Sequence, residues 1–208
     1  MSINSYDFIA PFYDPLSSLL LGNSYRQSKH TFFECITPNM NIWCLGGGTG
    51  NMLPTLLSMN APNGKVIYTE SSQKMLELAK KRVPEQQTRR VIFHYNDTFD
   101  WPISARADMI ICQYFLDVLT DFQLNALFSK LGTVTHPATR MLFVDFYPLP
   151  SKSLLLYTMI HTFGWATGHP RKDLPDYAYY FTKYGWVTDE ERNFENGFIK
   201  AKCLVREI

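Results

Sequence analysis

The chain has 208 residues, enough for one domain with a full hydrophobic core and short for two. Hydrophobic residues make up 46% and charged residues 19%, an ordinary globular composition that excludes a disordered chain. A formal net charge of +1 leaves no basic stripe of the kind that marks a nucleic-acid partner.

No segment near the first residue combines a basic start with a long apolar run, so no signal peptide is read there. No stretch reaches the ~18 apolar residues of a membrane span. Apolar runs that read as strands alternate with helix-like segments. That alternation predicts a mainly parallel sheet covered on both faces. Asn41 to Leu45 is the first predicted strand and Asn51 to Met59 the helix after it. Lys65 to Thr69 is the second strand. Ser72 caps a helix whose apolar face carries Met75, Leu76, Leu78, Ala79 and Val83. Glu77 and Lys81 are spaced to pair across one turn of it, and Pro84 ends it. Val91 to Tyr95, Ala107 to Cys112 and Arg140 to Tyr147 are the next three strands, with a helix over Phe122 to Leu131. Leu174 to Lys183 reads as a helix. Val187 to Phe194 and Phe198 to Val205 then form a hairpin around Asn196-Gly197.

The expected architecture is therefore a single Rossmann-like α/β domain over residues 1–208. It has a seven-stranded, mostly parallel sheet with helices on both faces and a C-terminal antiparallel hairpin. A cap over about 1–38 and an aromatic-rich insertion over about 148–184 flank its core.

Chemistry concentrates in Leu45-Gly46-Gly47-Gly48-Thr49-Gly50, between the first strand and its helix. Glycines there let the backbone turn sharply and let a ligand approach it. A tight turn alone needs one glycine or two, so four in five residues favour a ligand. The spacing is G-x-G-x-G, at Gly46, Gly48 and Gly50. It departs from the G-x-G-x-x-G of dinucleotide sites. Glu70 follows twenty residues after Gly50, at the end of the second strand, where a carboxylate can accept from both ribose hydroxyls of an adenosine. The four cysteines, Cys35, Cys44, Cys112 and Cys203, have no CxxC spacing. They predict no metal site, and Cys44, Cys112 and Cys203, in apolar strand-like runs, read as small buried hydrophobes in a reducing cytoplasm.

At these residues the chain resembles the class I S-adenosylmethionine-dependent methyltransferases, especially the small-molecule branch that includes ubiquinone/menaquinone-biosynthesis enzymes. Tyr6-Asp7 and Tyr13-Asp14 look like that branch's opening, Leu45 to Gly50 like its first motif, and Glu70 to Leu76 like its D-x-S-x-x-M-L. Asn96-Asp97-Thr98 with Trp101-Pro102 and Asp108 to Cys112 with Phe115-Leu116 resemble its later segments. The resemblance implies S-adenosylmethionine as cofactor and a small-molecule acceptor. Gly46, Gly48 and Gly50 would line the methionine and ribose, with Glu70 and the adjacent Ser71 on the ribose. Asp97 and Thr98 would meet the adenine, Gln113 would lie beside the reactive methyl, and Tyr13 would close over the site. Cys44 stands where the family carries an acid, and Asp117 where it carries a histidine.

Asp117 is thereby a candidate base, against the plain reading of an acid at a helix start. His161 and His169 are further candidates, each with a structural reading beside it. In the aromatic segment Pro148 to Tyr184, Tyr157, Trp165 and Arg171 are candidate acceptor contacts, and an apolar or aromatic acceptor would suit that composition. O- or C-methylation follows. Two other readings are a non-catalytic cofactor-binding member of the fold and a nicotinamide-dependent oxidoreductase, the latter disfavoured by glycine spacing and hairpin. No N/D-P-P-Y motif follows the fourth strand, which argues against an amino-methylating DNA enzyme.

Overall fold

The structure is a computed structural model that describes residues 22–95, 106–168 and 170–207. It opens with helix α1 (residues 22–30) and a short 3-10 turn, Phe33–Cys35, which leads into β1 (Asn41–Leu45). The elements α2 (Leu53–Met59), β2 (Lys65–Glu70), α3 (Gln73–Lys81), β3 (Val91–Tyr95), β4 (Met109–Gln113), α4 (Asp121–Val134) and β5 (Arg140–Phe146) follow. The chain then runs through α5 (Ser153–Thr167), α6 (Tyr177–Lys183), β6 (Trp186–Phe194) and β7 (Ile199–Arg206).

All seven strands join one sheet in the order β3-β2-β1-β4-β5-β7-β6. β1 to β5 pair in parallel, and β7 inserts antiparallel between β5 and β6. The predicted Rossmann-like sheet and terminal hairpin are both present. The turn at Asn196-Gly197 takes positive φ at both residues, 58° and 92°, as that dipeptide favours. β6 carries a register shift between Thr188 and Glu190.

Each central strand feeds two cores by alternation. Ile42 and Cys44 point into one cluster with Leu53, Leu56 and Leu57 of α2 and Tyr25 of α1. Trp43 and Leu45 point into the other, with Leu124, Leu127 and Phe128 of α4 and Tyr180 and Phe181 of α6. A strand buried on both faces has no polar side, which is why these segments read as continuous apolar runs. Cap chemistry sets the helix starts. Ser72 accepts from the Met75 amide at 3.2 Å, as its sequence position suggests, and Thr120 forms a capping box with Gln123 on α4. The Glu77–Lys81 pair does not form, because Glu77 accepts instead from Gln73 Nε2 at 3.1 Å, one turn back. No helix among the described residues is long and apolar enough to cross a membrane.

Candidate cofactor and acceptor site

Strand order reverses between β1 and β4, so their carboxyl ends leave a crevice where open α/β sheets bind ligands. The glycine loop enters it from β1, and residues 114–119 enter it from β4. Gly46, Gly48 and Gly50 all have positive φ, 58°, 63° and 80°. Their side-chain directions differ. A Cβ on Gly46 would lie 2.2 Å from the Phe115 ring, one on Gly47 2.2 Å from Tyr68, and one on Gly50 2.7 Å from the Ala79 backbone. At Gly48 nothing lies within 4 Å. Packing against β2, α3 and the β4 loop therefore demands three of the glycines, and Gly48 alone faces open space.

The loop is held from below. Tyr68 Oη donates to the Gly48 carbonyl at 2.8 Å. Glu70 Oε2 accepts from the Gly48 amide at 2.8 Å, and its Oε1 accepts from the Ser72 amide at 2.9 Å. Glu70 is buried, and Ser71 beside it is half-buried. A carboxylate has about four lone-pair sites, and the Gly48 and Ser72 amides are among the donors Glu70 meets. The acid that the sequence places at the end of β2 thus lies directly beneath the open backbone of Gly48.

Across the crevice, Gln113 Nε2 donates to the Lys29 carbonyl of α1 at 2.8 Å. Tyr114, at φ 51°, shares a 2.7 Å hydrogen bond with Ser28, and its ring packs tilted against that of Tyr25, centroids 4.6 Å apart. The cap helix α1 is thereby fastened to the loop after β4. Asp117 sits in that loop with its backbone amide donating to Asp145 Oδ2 at 3.3 Å. Asp145, on β5, is wholly buried, and its Oδ1 accepts from the Phe146 amide at 2.9 Å. Asp117 is half-buried as a residue, yet its Oδ1 is inaccessible and without a hydrogen-bond partner. Tyr177 faces Asp145, but its hydroxyl closes no well-directed hydrogen bond.

Burial pushes the Asp117 carboxyl up to about 7, against the opposing pull of backbone amides and the Arg171 guanidinium. Burial, and then the Asp117 charge, hold Asp145 well above the carboxylate range. Two neighbouring buried acids of this kind cannot both ionise cheaply, so each raises the cost of charging the other.

The other candidates fall as follows. Tyr13, Asp97, Thr98 and His169 lie outside the described residues. His161 is on α5, its Nδ1 2.9 Å from the Tyr157 carbonyl and its ring stacked on Tyr157 at 3.8 Å. Trp165 is 89% exposed, so it is no part of the core. Arg171 has a buried side chain that pairs with Asp121 at the start of α4 and with Asp173. The aromatic segment divides in two. Tyr177, Tyr180 and Phe181 are core residues packed on Phe128 and Phe143. The described side chains of α5 are all half-buried or exposed. Three contributors were not singled out from the sequence: Tyr68, Phe115 and Asp145. Tyr68 lies two residues before Glu70 and so on the same strand face, the one signal that pointed to it. Cys44 is buried in the first core, and burial pushes its thiol up to about 12, so it stands neutral where the resembled family has an acid. Among the described residues no cluster of three or more His, Cys, Asp or Glu could hold a metal ion.

The seven-stranded, mostly parallel sheet with its terminal antiparallel hairpin is a Rossmann-like fold that this chain shares with solved methyltransferase structures. In agreement, residues 42–138 match the family model of a methyltransferase domain. Solved structures share the fold at low identity. "DhpI-SAM-HEP complex" superposes with a TM-score of 0.66 at 18% identity, covering 95% of this chain and 93% of that one. A SAM-dependent methyltransferase from Aquifex aeolicus gives 0.61 at 16%, covering 92% and 93%. The mitomycin 7-O-methyltransferase MmcR gives 0.67 at 17%, covering 92% of this chain and 55% of its own, so this chain spans about half the length of that enzyme. A search of curated protein sequences finds no match.

Proposed function

We propose that the protein transfers a methyl group from S-adenosylmethionine to a hydroxyl of a small apolar or aromatic acceptor. The observation that carries this reading is the crevice itself. An open backbone at Gly48 stands on one side, and a buried acid with an unpaired oxygen, Asp117, on the other. The cofactor supplies an activated methyl on a sulfonium, so the protein mainly positions reactants and excludes water. Gly48 lets the cofactor approach the backbone, and Glu70 accepts from its ribose. Asp97, Thr98 and Tyr13 are assigned to the adenine and the closing contact by the resemblance. Gln113, fixed by Lys29, forms the floor near the methyl. Asp117 takes the proton that the acceptor hydroxyl gives up. Asp145 holds the Asp117 backbone in place, and a carboxyl poised at about 7 suits that transfer at neutral pH.

The test is calorimetry with S-adenosylhomocysteine and NAD, followed by turnover of a panel of phenols by wild type and Asp117→Asn. S-adenosylhomocysteine binds both proteins and NAD binds neither. The Asn variant loses about a hundredfold or more in kcat, the usual range for a missing base. NAD binding as tight as S-adenosylhomocysteine binding, or an Asn variant with full kcat, overturns the assignment. One observation favours a second reading. Neutral Cys44 cannot pair with the methionine ammonium, which suits a module that binds the cofactor without turning it over. Absence of turnover across the panel, with S-adenosylhomocysteine still bound, is the outcome that reading requires.

A further inference from the structure

Away from the crevice, two cysteines from distant parts of the sequence meet over one arginine. Cys35 closes the 3-10 turn at the end of the cap and is half-buried. Cys203 lies in β7, opposite Leu142 of β5, and is fully buried. Arg140, the first residue of β5, places Nη1 3.9 Å from Cys35 Sγ and 3.6 Å from Cys203 Sγ. Both sulfurs thus approach the same guanidinium nitrogen, which brings the end of the cap and β7 together at one point. Asp189 also pairs with Arg140, at 3.4 Å. A guanidinium against both sulfurs repels a metal cation and stabilises negative charge as it develops on a reacting sulfur.

We propose that Cys35 and Cys203 form a peroxide-responsive dithiol that closes to a disulfide and tethers the cap to the sheet. Cys35 is the attacking sulfur, because it is the one solvent reaches. Cys203 is buried, and burial pushes its thiol up to about 11 against the pull of Arg140, so it serves as the resolving thiol. In the first step the Cys35 thiolate attacks hydrogen peroxide. An S–O bond forms, the O–O bond breaks and hydroxide leaves, taking up a proton as water and giving a sulfenic acid. In the second, Cys203 sulfur attacks Cys35 sulfur. An S–S bond forms, the S–O bond breaks, and the Cys203 proton leaves with the hydroxide as water. Two thiols are oxidised and one peroxide is reduced to two waters. Cys44 and Cys112 are buried without such a partner, and Asp145 and Asp117 push the Cys112 thiol further up after burial does, so both stay reduced.

The consequence reaches the crevice through α1. The same cap that ends at Cys35 holds Gln113 through Lys29 and Tyr114 through Ser28. A disulfide at its far end fixes the strut on which those contacts depend.

The experiment treats the full chain with hydrogen peroxide, then maps peptides without reductant. Wild type yields a monomer with a Cys35–Cys203 cross-link that dithiothreitol reverses, and this monomer melts at a higher temperature because the bond restricts the unfolded chain. Cys35→Ser gives no cross-link and leaves Cys203 reduced. Cys203→Ala accumulates a Cys35 sulfenic acid that dimedone traps. Should that variant fail to fold, dimedone added to wild type must suppress the cross-link instead. Arg140→Gln slows cross-linking several-fold. A Cys35 sulfinic acid with Cys203 still free, a Cys35–Cys35 dimer, or a cross-linked monomer with unchanged melting temperature overturns the proposal.

Discussion

The two walls of the crevice are built from different materials. The β1 wall is backbone: glycines at positive φ, carbonyls and amides, pinned by Tyr68 and Glu70. The β4 wall is side chain: Gln113, Tyr114 and Asp117, held by groups on α1 and β5. A backbone site must use particular residue types, because only glycine accepts both the dihedral angle and the close approach. A side-chain site can be assembled from many residue types at many sequence distances. The first wall constrains its sequence tightly and the second loosely.

The largest way to test that contrast is to fill the glycines. Gly50→Ala places a Cβ against the Ala79 backbone at φ 80°. Strain of about 1–2 kcal/mol in the dihedral adds to about 1–3 kcal/mol of overpacking, and urea denaturation reads the loss of stability. Gly48→Ala meets nothing, so only the dihedral strain remains for the fold, while S-adenosylhomocysteine affinity falls steeply in calorimetry. Equal effects of the two substitutions on stability would break the distinction between the packed glycines and the open one.

Glu70→Ala comes next. Its carboxylate serves two backbone amides as well as the proposed ribose, so both properties move. Hydrogen bonds to a charged group are worth about 1.5–3 kcal/mol, so cofactor affinity drops roughly ten- to a hundredfold. The melting temperature drops too, because the glycine loop loses its anchor.

The β4 wall is probed through pH. Asp117 and Asp145 both have raised values in the folded state, so the fold binds more protons than the unfolded chain above about pH 4. Their contribution to stability is full below that point and is lost as pH rises toward about 7 and beyond. Arg171 opposes this at Asp117, while Cys112, Tyr114, Tyr147 and Tyr177 sit around the pair as neutral neighbours. Thermal melts between pH 4 and 8 follow that slope, and Asp145→Asn flattens it. An unchanged slope in the variant would place the titration elsewhere.

The smallest effect is at Trp165. At 89% exposure its replacement by Ala shifts stability by no more than about 0.5 kcal/mol. If Trp165 is the acceptor contact that its place in the aromatic segment suggests, KM for the acceptor rises while S-adenosylhomocysteine affinity holds. An unmoved KM removes Trp165 from the acceptor site.

The strands, the hairpin, the glycine loop and the end-of-strand acid at Glu70 were readable in order from the sequence, because period and turn chemistry are local. Strand and helix edges moved by a few residues, as α6 shows: it begins at Tyr177 where Asp176 caps it, after Pro175. Asp145 was invisible in the apolar run Met141 to Phe146, since its significance lies in Asp117, which only the sheet brings near. The aromatic segment misled for a related reason. Tyr177 and Trp165 look alike in a composition count, and only the docking of α6 on Phe128 and Phe143 buries one and not the other. The pairing of Arg171 with Asp121, fifty residues away, is likewise announced by no local signal.

The hairpin has a bearing on assembly. β6 is the edge strand, and it carries Asp189, Glu190, Glu191 and Arg192 in succession, with its register broken between Thr188 and Glu190. Lys200 and Lys202 on β7 neutralise Glu191 from the side. A charged, irregular edge offers a poor template for another chain's strand. Growth of the sheet by edge pairing is disfavoured on that side.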